Sequence, residues 1–149
     1  MLYRKIEKLI DEHLKSDTQK ILLIDGARQV GKTYIIRYVG QRLFENFIEI
    51  NMVEDSIGDR LFANTKTIED FYLQVSMIAG NKMKAKSDTL IFIDEIQESE
   101  DLISQLKFFC ENHNNVNIIC AGSLLGVKLK RLKKSFPVGK VDFINMYPM

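Results

Sequence analysis

Apolar residues along this chain fall into two alternating spacings. Continuous runs occur at Ile21-Leu22-Leu23-Ile24, Leu90-Ile91-Phe92-Ile93 and Val116-Asn117-Ile118-Ile119-Cys120-Ala121, and shorter mixed runs at Phe47-Ile48-Glu49-Ile50-Asn51 and Val141-Asp142-Phe143-Ile144-Asn145-Met146. Runs of this kind suit strands covered on both faces, as in a parallel sheet. Between them the spacing lengthens to i, i+3, i+4. Leu2, Ile6, Leu9, Ile10 and Leu14 predict an amphipathic N-terminal helix, Ile36, Val39 and Leu43 a second that ends between Gly40 and Phe47, Ile68 to Ile78 a third, and Leu102 to Cys110 a fourth. Thr67 with Asp70 approximates a capping box ahead of the third helix, which should end before Gly80. Val53 to Lys66 has no clear period and reads as a surface excursion, and Asn81 to Asp88 as a polar, basic loop. Strand alternating with helix predicts an α/β fold in three layers, a parallel sheet between helices.

The junction of the first strand and second helix carries the chemistry. Gly26-Ala27-Arg28-Gln29-Val30-Gly31-Lys32-Thr33 is a complete G-x-x-x-x-G-K-[ST] phosphate-binding loop, with the strand before it and the helix after it that the motif requires. Gly26 and Gly31 allow backbone angles that turn several N–H groups inward as a nest for phosphate oxygens. The positive end of the following helix points at the same place. Lys32 is expected to reach the β- and γ-phosphates and the Thr33 hydroxyl to ligate Mg²⁺, so the expected ligands are ATP or ADP with Mg²⁺.

A second signal lies about 60 residues further on. Asp94-Glu95 directly follows the apolar run Leu90 to Ile93, which delivers both carboxylates to the sheet edge where α/β proteins bind ligands. Asp94 is placed to orient Mg²⁺ and its waters, and Glu95 to accept a proton from an attacking water. Alone, such a pair is an ordinary solvated loop; beside the phosphate loop it marks a catalytic site. Ser123 follows the strand ending at Ala121, and two readings stay open for it. It bonds the γ-phosphate or the attacking water, with Gly122 easing the approach, or it is a turn serine.

Composition narrows the class. The chain has 149 residues, the size of one domain, and a formal net charge of +1, which supports neither nucleic acid nor a membrane surface as partner. Cys110 and Cys120 lack metal-ligand spacing and read as core thiols of a cytoplasmic protein. No apolar run reaches membrane-spanning length, and the charged first turns are unlike a signal peptide. The last strand stops three residues short of the end at Met149, so the sequence reads as an N-terminal part of a longer protein.

Taken together, Gly26 to Thr33, Asp94-Glu95-Ile96-Gln97, Ala121-Gly122-Ser123-Leu124-Leu125-Gly126 and Ser135-Phe136-Pro137-Val138-Gly139-Lys140-Val141 resemble the AAA+ superfamily. More narrowly they resemble prokaryotic ATP-binding proteins in which an N-terminal AAA-type ATPase domain precedes a C-terminal domain of unknown function. The resemblance implies strand order 5-1-4-3-2, with the strand ending near Ser123 flanked by the phosphate-loop strand and the Asp94 strand. It places Ser123 at the polar sensor position. It also implies continuation from Tyr147-Pro148-Met149 into a helical lid and a C-terminal effector domain, and a possible homo-oligomer.

One departure stands out. Such ATPases commonly carry Gly-Arg before the last strand, whereas this chain has Gly139-Lys140, and lysine lacks the planar two-pronged contact of arginine. Arg131, within the basic stretch Lys128 to Lys134, is the other candidate for a residue acting across a subunit boundary, although such a stretch is more often a solvated face. The sequence therefore predicts a Mg²⁺-dependent ATPase module that drives a conformational change in an unknown domain or partner. The alternative is a nucleotide-binding switch with negligible turnover. A small-molecule kinase lacks an acceptor site, and Asn81-Lys82-Met83-Lys84 lacks the aspartate of the guanine-selecting N-K-x-D pattern.

Overall fold

The computed structural model describes residues 2–15, 21–26, 31–52, 67–80, 88–96, 117–122 and 141–146. In chain order the elements are α1 (Leu2–Lys15), β1 (Ile21–Gly26), α2 (Lys32–Leu43), β2 (Asn46–Asn51), α3 (Ile68–Ala79), β3 (Thr89–Asp94), β4 (Ile118–Gly122) and β5 (Val141–Met146). The five strands form one sheet of order β5-β1-β4-β3-β2, and every described pair is parallel. This is the order implied by the resemblance, with β4 between β1 and β3. The expected helix over Leu102 to Cys110 and the excursion Val53 to Lys66 lie outside the described residues.

Period-two alternation divides the strands between two cores. Ile21, Leu23, Ile50, Ile91, Ile93, Ile118 and Cys120 pack on one face with Phe71, Tyr72 and Val75 of α3. Leu22, Ile24, Leu90, Phe92, Ile119 and Ala121 face the opposite layer, where Ile6 and Ile10 of α1 meet Ile35, Ile36 and Val39 of α2. β3 and β4 are buried along their full lengths, which is why their sequences run apolar without alternation. Burial of the Tyr72 ring pushes its hydroxyl up to about 12, against a hydrogen bond to the Asn117 backbone that pulls it down.

Local signals set the helix ends. Thr67 Oγ1 accepts from Asp70 N at 3.1 Å and Asp70 Oδ2 accepts from Thr67 N at 3.3 Å, a reciprocal capping box that starts α3. Gly80, at φ 60°, ends it. Among the described side chains of α1, Leu9 departs from the sequence pattern: it is 39% exposed, while Ile6 and Ile10 are buried against the core. Its polar side instead meets α2, where Arg42 reaches Asp11 at 2.5 Å and Glu7 at 4.0 Å.

α2 also runs through Gly40 to Leu43, past the glycine that marked the early limit of its expected end. Gly40 serves packing there. A Cβ at that position would stand 2.7 Å from the Phe47 ring and 2.8 Å from Leu90 Cδ2, so the helix lies against β2 and β3 more closely than a side chain permits. Gly40→Ala gains about 1 kcal/mol of helix propensity but overpacks the core by about 1–3 kcal/mol. The expected result is a net loss of about 1 kcal/mol, read as a lower urea midpoint at unchanged slope.

Candidate nucleotide-binding site

Because the strands are parallel, their C-terminal ends share one rim. Asp25 is in register with Gly122 and Asn51 with Asp94, so the ends of β1, β4, β3 and β2 come to the same edge. Gly31 takes φ 78° and ψ 13°, the left-handed region that glycine enters without penalty, and from it α2 begins at Lys32. Among the described residues no side-chain hydrogen bond caps this helix, and a helix start of this kind offers its first N–H groups to an anion.

Three groups meet where the loop faces β3. The Lys32 ammonium, 1% exposed, donates to the Gly26 carbonyl at 2.9 Å and so spans the two ends of the loop. Thr33 Oγ1 donates to Asp94 Oδ2 at 3.0 Å, joining residues 61 positions apart. Asp94 Oδ1 accepts from the Glu95 backbone N–H at 2.9 Å. Burial pushes the Asp94 carboxyl up; the Thr33 and Glu95 hydrogen bonds pull it down, the Glu95 charge raises it again, and the Lys32 charge lowers it. The net direction is upward, because burial outweighs the two hydrogen bonds and the lysine charge.

Glu95 departs from ordinary backbone geometry. At φ 56° it occupies the left-handed region, rare for a residue with a side chain, and it is buried to 7% exposure. The strand therefore ends at Asp94, and the turn immediately after it keeps Glu95 at the rim. The Met52 N–H donates to the Asp94 carbonyl at 3.0 Å, tying the end of β2 to the same point.

A hydroxyl beside a carboxylate is a hard-oxygen donor set that fits Mg²⁺, which binds through one or two carboxylates plus substrate phosphates. Among the described residues no cluster of three or more His, Cys, Asp or Glu could hold a metal without such help. Of the expected site residues, Gly26, Gly31, Lys32, Thr33, Asp94 and Glu95 are brought together; Ala27, Arg28, Gln29, Val30 and Ser123 lie outside the described residues, as do Arg131 and Lys140. Gly122 belongs to β4 and is buried, one residue past the expected end of that strand at Ala121. Asn51 is the rim residue that sequence reasoning passed over. Its signal, a polar residue closing the β2 run, gains meaning only from the register with Asp94.

Comparison with known proteins bears on the family and the fold. DNA mismatch repair protein MutS from Prochlorococcus marinus is 32% identical over 91 residues in strain MIT 9312 and 31% in strain MIT 9301, covering 54% of this chain and 10% of each relative. The chain thus spans about a tenth of the length of these curated relatives. A structure of C. elegans PCH-2 matches the fold with a TM-score of 0.54 at 15% identity, covering 99% of this chain and 43% of that one. Among the described residues no helix is long and apolar enough to cross a membrane. A family model described as "AAA domain" matches residues 18–149, nearly the whole chain and all five strands, so this chain belongs to the AAA domain family of AAA-type ATPases within the AAA+ P-loop superfamily.

Proposed function

We propose that this chain binds Mg-ATP at the rim between Gly26 to Thr33 and Asp94-Glu95 and hydrolyses it, using the product states to time a conformational change in a further domain or partner. The observation that carries this is the 3.0 Å contact from Thr33 to Asp94, which brings the end of the phosphate loop to the acidic residue that closes β3. Lys32 gives up its bond to the Gly26 carbonyl and donates to phosphate oxygens instead, so its buried charge gains an anionic partner. Thr33 and Asp94 hold Mg²⁺, which when bound neutralises phosphate charge and polarises the transferred phosphoryl group. Glu95 accepts the proton of the attacking water, and Ser123 orients that water or the γ-phosphate.

AAA+ domains frequently assemble, and a homo-oligomer would allow a neighbouring subunit to supply the cationic finger for which Arg131 and Lys140 are the candidates here. The balanced charge gives no support for a nucleic-acid partner, whatever the MutS relatives contact.

The test is calorimetric titration with ATP in the presence of Mg²⁺ and of EDTA, on the parent chain and on Asp94→Asn. For the parent, removing Mg²⁺ is expected to weaken binding about ten-fold or more. Asp94→Asn should erase most of that difference. Its thermal midpoint should hold or rise, because the amide removes a charge that burial opposes and keeps a partner for the Thr33 hydroxyl. Equal affinity with and without Mg²⁺ in the parent would refute the metal assignment. Binding without any phosphate release at saturation would leave a nucleotide-controlled switch.

A further inference from the structure

Three contacts between α2 and the sheet follow one another along the helix. Thr33 Oγ1 meets Asp94 at the rim, a Cβ at Gly40 would meet the Phe47 ring near the start of β2, and between them the Arg37 guanidinium holds the Glu49 carboxylate of β2. That hold has two prongs: Nε donates to Oε1 and Nη2 to Oε2, each at 2.6 Å. The spacings agree. Arg37 lies one turn beyond Thr33 on the same helix face, about 6 Å along the axis. Glu49 lies two residues before Asn51 on the same strand face, about 6.6 Å back, and Asn51 is in register with Asp94. One helical turn therefore matches two strand residues, and the ion pair repeats the Thr33 to Asp94 contact one step further from the rim.

Stability does not explain a pair in this position. The Arg37 side chain is 52% exposed and the Glu49 side chain 23%, so water screens much of their attraction. What the pair supplies is direction. Ile35, Ile36 and Val39 hold α2 against the sheet through apolar contacts, which are non-directional, whereas a planar guanidinium that engages both carboxylate oxygens fixes a geometry.

Resting on the Mg²⁺ site proposed above, we infer that Arg37 and Glu49 are a positioning pair for it: they set where along the sheet α2 begins, and so the separation of the Thr33 hydroxyl from the Asp94 carboxylate. Mg²⁺ makes that separation matter. It demands near-ideal octahedral geometry with oxygens at about 2.0–2.1 Å, whereas Ca²⁺ accepts oxygens at about 2.3–2.6 Å in variable arrangements. A small shift of α2 is therefore costly for Mg²⁺ and nearly neutral for Ca²⁺. Neither side chain acts on the nucleotide itself; both act through Thr33.

The experiment is calorimetric titration of ATP with Mg²⁺, with Ca²⁺ and with EDTA, on the parent chain, Arg37→Lys, Glu49→Gln and the two together. Lysine keeps the charge but loses the two-pronged contact, and glutamine keeps the shape but loses the charge. Each single change is expected to weaken Mg-ATP about five-fold and to leave Ca-ATP and metal-free ATP within about two-fold, and the double change should cost no more than either single. Thermal midpoints should stay within about 4 °C of the parent, as an exposed pair allows. A simple field effect on the phosphates would instead leave Arg37→Lys silent and tighten Glu49→Gln under all three conditions, a result that would overturn the positioning role. Parallel losses with Mg²⁺ and Ca²⁺ would overturn it too, because they report a general loosening of the fold. Variants that match the parent with Mg²⁺, in a parent that still prefers Mg²⁺ to EDTA, would sink this inference alone. A parent indifferent to Mg²⁺ would overturn both readings.

Discussion

Lys32→Met is expected to weaken Mg-ATP binding by about 10- to 100-fold, because hydrogen bonds to charged groups are worth about 1.5–3 kcal/mol each. Methionine is the informative choice. The Lys32 stem is buried, so Lys32→Ala would remove packing along with charge, while Met keeps most of the stem and deletes the ammonium. In the apo protein the lost partner is the Gly26 carbonyl, one acceptor at 2.9 Å, and the expected cost to stability is about 1 kcal/mol. Calorimetry with a thermal melt alongside separates the two effects. A variant that melts near the parent temperature and still binds ATP at parent affinity would show that Lys32 does not meet the phosphates.

Glu95→Gln should leave ATP binding within about three-fold and lower phosphate release by about 10²- to 10⁴-fold, the usual contribution of a positioned general base. The amide matches the carboxylate in size and keeps a hydrogen-bonding oxygen, but it takes up no proton at neutral pH. The backbone at φ 56° should be unaffected, since glutamine tolerates that conformation no worse than glutamate. Single-turnover release of labelled phosphate, with ATP pre-bound, isolates the chemical step. Hydrolysis at the parent rate would exclude Glu95 as the base. Binding lost together with turnover would mean that its buried carboxylate supports the metal or the loop.

Bringing Asp94 to the start of α2 depends on one short crossing of the sheet. β4 intervenes between β1 and β3, yet Thr33 at the start of α2 and Asp94 at the end of β3 still touch at the shared rim. A phosphate loop and an acidic pair are therefore brought into contact by parallel strand order and not by nearness in sequence. The same order sets Asn51 beside Asp94.

Much of this molecule was written in local patterns. Continuous apolar runs marked β1, β3 and β4 because both faces of those strands are buried, and the Thr67 to Asp70 box started α3 through two hydrogen bonds that need only four residues. Gly31 and Lys32 were legible for the same reason: a left-handed turn and a phosphate-seeking charge are demanded at fixed spacing within one strand-loop-helix unit. Long-range geometry decided the rest. That Leu9 faces solvent while Ile6 and Ile10 do not, that Gly40 is required by Phe47 and Leu90, and that Arg37 of α2 meets Glu49 of β2 all follow from how helices settle on the sheet. Periodicity along one element specifies which residues share a face, but what that face touches depends on the packing of elements distant in sequence.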